Sequence, residues 1–248
     1  MTLRGSAFLA LWNDVDPTRD DEYNAWHTLE HVPERVGIAG ILAARRYVAR
    51  WRTESRYFTL YELASIGVLA SGDYVDVVAH PTQWTRTMRS SMRNFERYPC
   101  TTMLSAGIGI AAAISTFRFA VPLSGVQPDD DSMRSGLQSL LDVPGVASIH
   151  AGAAEPDPNF AIANQAPSLD DHIEFVVLVE ATDAGVLDAL ELRLRSATGA
   201  LLHGIATAPF LVYDLAFAID KTMLADPTRA RQPARDDLRA RWDAGGRP

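Results

Sequence analysis

The chain has 248 residues, 47% hydrophobic and 22% charged, which is enough to bury one large core or two smaller ones and too apolar for intrinsic disorder. A formal net charge of −8 with no concentrated basic stretch argues against nucleic acid as a partner, because phosphate binding needs a basic surface. The single cysteine, Cys100, excludes an intramolecular disulfide and any Cys-based metal spacing, and the apolar stretch 105–113 falls far short of the roughly 20 residues of a membrane-spanning helix. With only a short apolar run before Asn13 at its start, the chain is expected to be cytoplasmic, with no membrane partner.

In chain order, Ser6 to Val15 reads as a buried strand followed by turn chemistry at Asp14-Val15-Asp16-Pro17-Thr18. Asp20 or Asp21 caps a helix that runs from Tyr23 through Arg35, with Pro33 a break near its end and Gly37 and Gly40 as stop signals. Ile41 to Trp51 and Arg56 to Leu63 form a hairpin across the polar turn 52–55. Residues 66–79 are short helical pieces, His80-Pro81-Thr82 opens a helix from Gln83 to about Arg97, and Thr101 to Ile110 is a strand. The order is that of a split βαβ, or ferredoxin-like, unit.

The same order recurs: strand Phe117 to Leu123, helix Asp130 to Leu141, strands Val146 to Ala151 and Glu174 to Glu180, helix Asp183 to His203, strand Phe210 to Ile219. The expected fold is therefore α+β, with two tandem ferredoxin-like (βαββαβ) repeats at 1–111 and 112–225 and a charged tail at 226–248. Aligning V-P-G-V-A-S-I-H (143–150) with I-A-G-I-L-A-A-R (38–45) sets Arg45 opposite His150. The loop Gly152 to Asp171 is long for a hairpin and is a candidate lid.

The stretch W-H-T-L-E-H-V-P-E-R (26–35) concentrates the chemistry, since helical spacing of three and four sets His27, Glu30 and His31 on one face. The second repeat has S-G-L-Q-S-L-L in its place, so a site built on this motif is single and asymmetric.

From Tyr23 through that motif, then G-I-L-A-A-R-R-Y, Y-F-T-L-Y-E-L, H-P-T-Q-W-T-R-T-M and N-F-E-R, the sequence resembles a bacterial branch of the EthD-like dimeric α/β-barrel proteins, over about residues 6–110. The resemblance implies two ferredoxin-like sheets paired face to face into a barrel whose interior holds the ligand, here with both sheets from one chain. The wider superfamily contains cofactor-free monooxygenases, cyclases, lactone isomerases and two-repeat haem enzymes, so the fold alone leaves the chemistry open.

Four readings of the motif compete. H-x-x-E-H is a zinc-peptidase spelling, with His27 and His31 as the ligands if a divalent metal is held; the third ligand would come from Glu62, Glu96 or His80, and the resemblance argues against a peptidase. Cofactor-free acid/base catalysis by His27 and His31, with Glu30 orienting one ring, suits an imidazole that titrates near working pH, and it is favoured here. Haem held by a histidine of the second repeat is a third, His203 being the candidate by analogy with the two-repeat enzymes. An ordinary polar helix face is the fourth.

Alternation in Y-F-T-L-Y-E-L sets Tyr57, Thr59 and Tyr61 on one face and Phe58, Leu60 and Glu62 on the other; the apolar set suits helix packing, which leaves Tyr61 for the cavity as a hydrogen-bond donor. Arg45 and Arg46 point to opposite faces, so one of them is the candidate oxyanion or carboxylate binder, while Trp26 with Trp84 and Arg86 are candidate pocket walls. His150 and His172 are further candidates to reach the cavity. The expectation is a lyase, isomerase or cyclase acting on a hydrophobic oxygenated or aromatic compound in catabolism, with no cofactor favoured, divalent metal or haem as alternatives, and a homodimer as a further assembly. A non-catalytic ligand-binding protein is the alternative outside enzymes.

Overall fold

The computed structural model describes residues 3–49, 51, 54–123, 130–156, 172–199 and 209–243. Eight strands, β1 (Ala7–Val15), β2 (Ile41–Val48), β3 (Tyr57–Leu63), β4 (Met92–Gly107), β5 (Ala113–Pro122), β6 (Val146–Ala154), β7 (His172–Ala181) and β8 (Leu211–Asp220), close into one antiparallel barrel. Its order is β1-β3-β2-β8-β5-β7-β6-β4. Each half contributes four adjacent strands, and β2 with β8 and β4 with β6 stitch the halves together. Closure leaves no unpaired sheet edge.

The barrel interior is full. One apolar cluster takes Phe8 from β1, Tyr47 from β2, Phe58 from β3, Cys100 from β4, Ile114 from β5, Ala154 from β6, Val176 from β7 and Tyr213 from β8, with Trp12, Leu60 and Tyr98 beside them. A set of side chains drawn from every strand can meet only on the barrel axis. A polar network lies inside as well: Arg45 bonds Glu62 at 2.7 Å and pairs with Glu180, while His150 stands 3.4 Å from Glu180 and 3.0 Å from Ser105 Oγ. All four ionisable groups are at most 2% exposed, where charges persist only when paired and hydrogen-bonded. Arg45 and His150 thus meet at one carboxylate, and neither is available to a ligand outside the barrel.

This reverses the expected faces of β3. Phe58, Leu60 and Glu62 turn inward, and Tyr57, Thr59 and Tyr61 face the helices. Alternation sorts residues into two sets, but a barrel sheet covers both faces and gives hydropathy nothing with which to choose between them.

Helices pack on the outside. In the first half α1 (Asp20–Trp26) runs through one π turn (His27–His31) into α2 (Val32–Gly37), followed by α3 (Gly72–Ala79) and α4 (Gln83–Arg89). Pro33 does not break the helix. Proline lacks an N–H and clashes with the carbonyl four residues back, and the wider turn accommodates it, with Val32 N–H donating to the His27 carbonyl. Gly40, at φ +87°, makes the left-handed turn into β2.

The helix expected from Gln83 to Arg97 stops at Arg89, and residues 92–97 belong to β4. β1 extends to Val15 and takes Met92, Arg93, Glu96 and Arg97 as partners, and Asn94 adopts φ 48°, a left-handed conformation that asparagine tolerates. In the second half are α5 (Asp130–Gln138), α6 (Ala184–Asp188) and α7 (Glu191–Gly199); the single helix expected from Asp183 is two, and His203 lies outside the described residues. Most of the candidate lid, residues 157–171, also lies outside them. Within the tail, α8 (Asp236–Asp243) turns back onto the first half, where Leu238 and Trp242 pack against the cluster of Trp26 and Trp84. No helix among the described residues is long and apolar enough to cross a membrane.

Candidate active site

Between the outer face of the first-half sheet and its helices lies a chamber of about 830 Å³, within the range of about 300–1,000 Å³ typical of small-molecule sites. Its floor is Leu9, Leu11 and Asn13 of β1, Thr59 and Tyr61 of β3 and Arg97 of β4; its roof is Trp26, His27, His31, Arg35, Tyr74 and Arg89. The register explains the floor, because Leu9 pairs with Tyr61, and Leu11 with Thr59 on one side and Arg97 on the other. The chamber therefore lies outside the barrel and not along its axis, where the resemblance implied the ligand.

The π turn delivers both histidines to this space. Their rings stack at 5.3 Å, His27 also stacks on Tyr23 at 5.1 Å, and Trp26 covers His31 at 4.5 Å. Neither Nδ1 has a hydrogen-bond partner among the described residues, and neither has the Tyr61 hydroxyl. A buried polar atom without a partner costs about 1–3 kcal/mol, and such atoms concentrated in one cavity are a signature of a ligand site. Burial, reinforced by Arg46, His31 and Arg35, holds His27 well below its ordinary pKa of 6.5; burial with Arg35, Arg89 and Arg46 does the same for His31. Both rings are neutral proton acceptors at neutral pH. Burial also raises the Tyr61 phenol, which stays a donor.

Other expected site residues lie elsewhere. Glu30 turns away from the imidazoles: its carboxylate accepts from Thr82 Oγ1 and from the Arg235 backbone N–H, each at 2.6 Å. It ties the helix to α4 and to the tail, so it orients neither ring. Arg46 reaches the helix from below, donating to Asn24 Oδ1 at 3.0 Å and to Thr28 Oγ1, and it does not line the chamber. Trp84 is fully buried, with its indole N–H on Glu22 at 3.0 Å, and Arg86 is exposed; neither walls the chamber. His80 caps its own turn on Asp76, and His172 lies near Glu174 on β7. Arg35, Arg89, Arg97 and Tyr74 do line the site and escaped the sequence reading, since they come from separate elements with no common spacing.

No cluster of three or more His, Cys, Asp or Glu suitable for a metal ion occurs among the described residues. Two near-parallel stacked imidazoles also present no third ligand for zinc.

The architecture is that of the dimeric α/β barrels, formed here within one chain. Solved structures of this fold match most of its length. An anthrone oxidase-like protein aligns with a TM-score of 0.60 at 11% identity, over 86% of this chain and 92% of that one. A heme-binding protein from Thermus thermophilus aligns at 0.53 and 12% identity, over 88% and 93%, and a chlorite dismutase mutant from Candidatus Nitrospira defluvii at 0.51 and 10%, over 86% and 92%. No protein-family model and no curated protein matches the sequence. At these identities the likeness concerns the fold.

A haem can be tested against both halves. In the second, Phe117, Phe119, Phe175, Leu137, Leu190 and Leu194 form a buried apolar cluster between helices and sheet, and His203, the histidine expected to hold iron there, lies outside the described residues. The first-half chamber fits its demands better, with neutral imidazoles for the iron and guanidinium groups for the propionates.

Proposed function

We propose that this chain is a cofactor-independent enzyme of the EthD-like branch of the dimeric α/β barrels, built of two ferredoxin-like repeats (1–111 and 112–225) and a tail (226–248). Its reaction is a proton transfer of lyase, isomerase or cyclase type on a hydrophobic oxygenated or aromatic compound. The observation that carries this reading is the pair of neutral, stacked imidazoles, His27 buried and His31 half-buried, whose Nδ1 atoms are shielded from solvent and have no hydrogen-bond partner among the described residues. His27 or His31 removes an acidic C–H or O–H proton, and Tyr61 donates to the oxygen on which charge develops. Leu9, Leu11 and Trp26 exclude water, which strengthens both interactions. Positioned acid/base groups of this kind contribute about 10²–10⁴-fold in rate. A cytoplasmic homodimer with a small molecule as its sole partner completes the proposal.

The test uses anthrone, an apolar ketone with an acidic methylene, as probe. Deuterium exchange at that methylene should be accelerated by the wild-type protein, and the acceleration should fall by about 10²–10⁴-fold in His27→Asn/His31→Asn. Equal exchange with the double variant refutes the acid/base assignment and leaves a binding role.

Haem is the second reading, favoured by the same unpartnered nitrogens. His27 or His31 would hold the iron and the chamber arginines the propionates, and the iron would supply redox chemistry. A Soret band on hemin titration that is lost in the double histidine variant is the observation that would support it.

A further inference from the structure

Two non-glycine residues among the described ones take positive φ, Ser55 at 50° and Asn94 at 48°, and both line the chamber. Ser55 lies in the β2–β3 turn, and Asn94 sits where the pairing of β1 with β4 slips, since Trp12 pairs with Glu96 but Asp14 with Arg93. Left-handed backbone is the usual territory of glycine, and a serine persists there only when its surroundings enforce it. The slip in β4 is a bulge, a device that bends a strand and is common beside active sites. Of the four exposed lining residues, Glu54, Arg93 and Asn94 lie on these two segments, and Arg89 is on the roof.

One carboxylate enforces both conformations. Asp14, 6% exposed near the end of β1, accepts from the Ser55 N–H at 3.1 Å, the Arg56 N–H at 2.7 Å and Asn94 Nδ2 at 2.8 Å. None of these donors is a cation, so the carboxylate acts on backbone and amide geometry, through bonds stronger than those of a neutral acceptor. Tyr213 of β8 adds a bond from its hydroxyl to the Ser55 carbonyl at 2.9 Å. The preceding residue, Asn13, lines the chamber and accepts from Tyr23, the ring that stacks on His27. Two adjacent residues of β1 thus divide the work: Asn13 supports the histidine stack, and Asp14 joins the two segments at the exposed edge.

We infer that Asp14 is a positioning residue of the ligand entrance: by tying Ser55 to Asn94 it fixes the two rims, the β2–β3 turn and the β4 bulge, between which a ligand passes to His27. This rests on the chamber being the ligand site, and it extends the acid/base reading to how a substrate reaches the base. Asp14 does not itself line the chamber, so it controls entry through the rims and leaves the reacting groups untouched.

The experiment labels the full chain with diethyl pyrocarbonate, a small electrophile that acylates neutral imidazole, and follows each histidine by peptide mass spectrometry in wild type, Asp14→Ala and Asn94→Gly. His27, 5% exposed, reports entry, while exposed His80 is the reference for reagent and fully buried His150, inside the barrel, the reference for unfolding. Glycine accepts the left-handed backbone at position 94 and removes the side-chain bond to Asp14, so Asn94→Gly carries the test where Asp14→Ala lacks the native near-UV circular dichroism. Labelling of His27 should rise about 10-fold or more in each variant, and that of half-buried His31 by less, with His80 and His150 unchanged, because bonds to a carboxylate are of the strong kind. An unchanged His27 rate in Asn94→Gly overturns the inference and places entry elsewhere, beside Arg89. A rise that His150 shares equally overturns it too, as a general loosening of the fold. Failure of the acid/base reading looks different: His27→Asn/His31→Asn would keep anthrone exchange at the wild-type rate, whatever the rim variants do to labelling.

Discussion

The two halves of the barrel carry four strands each and helices on the same side of them, yet they use the helix–sheet space in opposite ways. In the second half, among the described residues, Phe117, Phe119 and Phe175 pack with Leu137, Leu190 and Leu194 into an apolar core. The first half spends the equivalent space on a chamber walled by imidazole, phenol and guanidinium. One half serves as ballast, contributing stability through burial, and the other holds unpartnered polar atoms that burial alone would disfavour.

The largest expected difference follows from this. Phe117→Ala, in the apolar core, should cost about 3–5 kcal/mol in urea unfolding, whereas Leu11→Phe, which grows into the chamber, should change stability by less than about 1.5 kcal/mol while abolishing the acceleration of anthrone exchange. Similar losses from the two substitutions would erase the distinction between the halves.

Acid should act on the hollow half first. His27 and His31 are held neutral in the folded chain but take up protons in the unfolded chain as pH falls through about 6.5. The unfolded state then binds more protons, so this contribution to stability is complete above pH 6.5 and declines below it, by roughly 1.4 kcal/mol per pH unit for each histidine. Urea midpoints between pH 5.5 and 7.5 should show that slope reduced in His27→Gln/His31→Gln; His150, whose pKa is also lowered by burial, accounts for a remainder. An unchanged slope in the double variant would mean that the two rings are not neutral in the folded protein.

Glu30→Gln should cost about 1–3 kcal/mol, because an amide replaces an oxygen that accepts from Thr82 or from the Arg235 N–H. Its effect on proton exchange should be small, in contrast to the histidines; a loss as large as theirs would restore Glu30 to the reacting centre. Tyr61→Phe is the smallest effect on stability, within about 0.5 kcal/mol, since its hydroxyl has no protein partner to lose among the described residues. A cost above about 2 kcal/mol would reveal a structural hydrogen bond and weaken Tyr61 as a donor to ligand.

The strand and helix order was legible in the sequence because turn residues and caps punctuate it, as at Asp16, Thr82 and Gly40. The motif at 26–35 was legible as a helix face carrying two histidines. Four things were not. The inward set of β3 was hidden because both faces are buried. The end of α4 was hidden because Met92 to Arg97 carries residues of helical spacing, while its strand conformation is dictated by pairing to a distant β1. The arginine cluster was hidden because Arg35, Arg89 and Arg97 meet only in three dimensions, and Glu30 was misread because its partner Arg235 is 205 residues away.

That last contact bears on how the protein is made. The helix roofing the chamber is held by Glu30 on Arg235, by Lys221 Nζ on the carbonyls of Val36, Gly37 and Ile38, and by Leu238 and Trp242 on the tryptophan cluster. Residues 20–37 leave the ribosome long before the segment that fastens them. Through most of synthesis, the stretch with both histidines lacks its final partners, and contacts of such long sequence separation form late and slowly. The working half of the molecule is translated first and finished last.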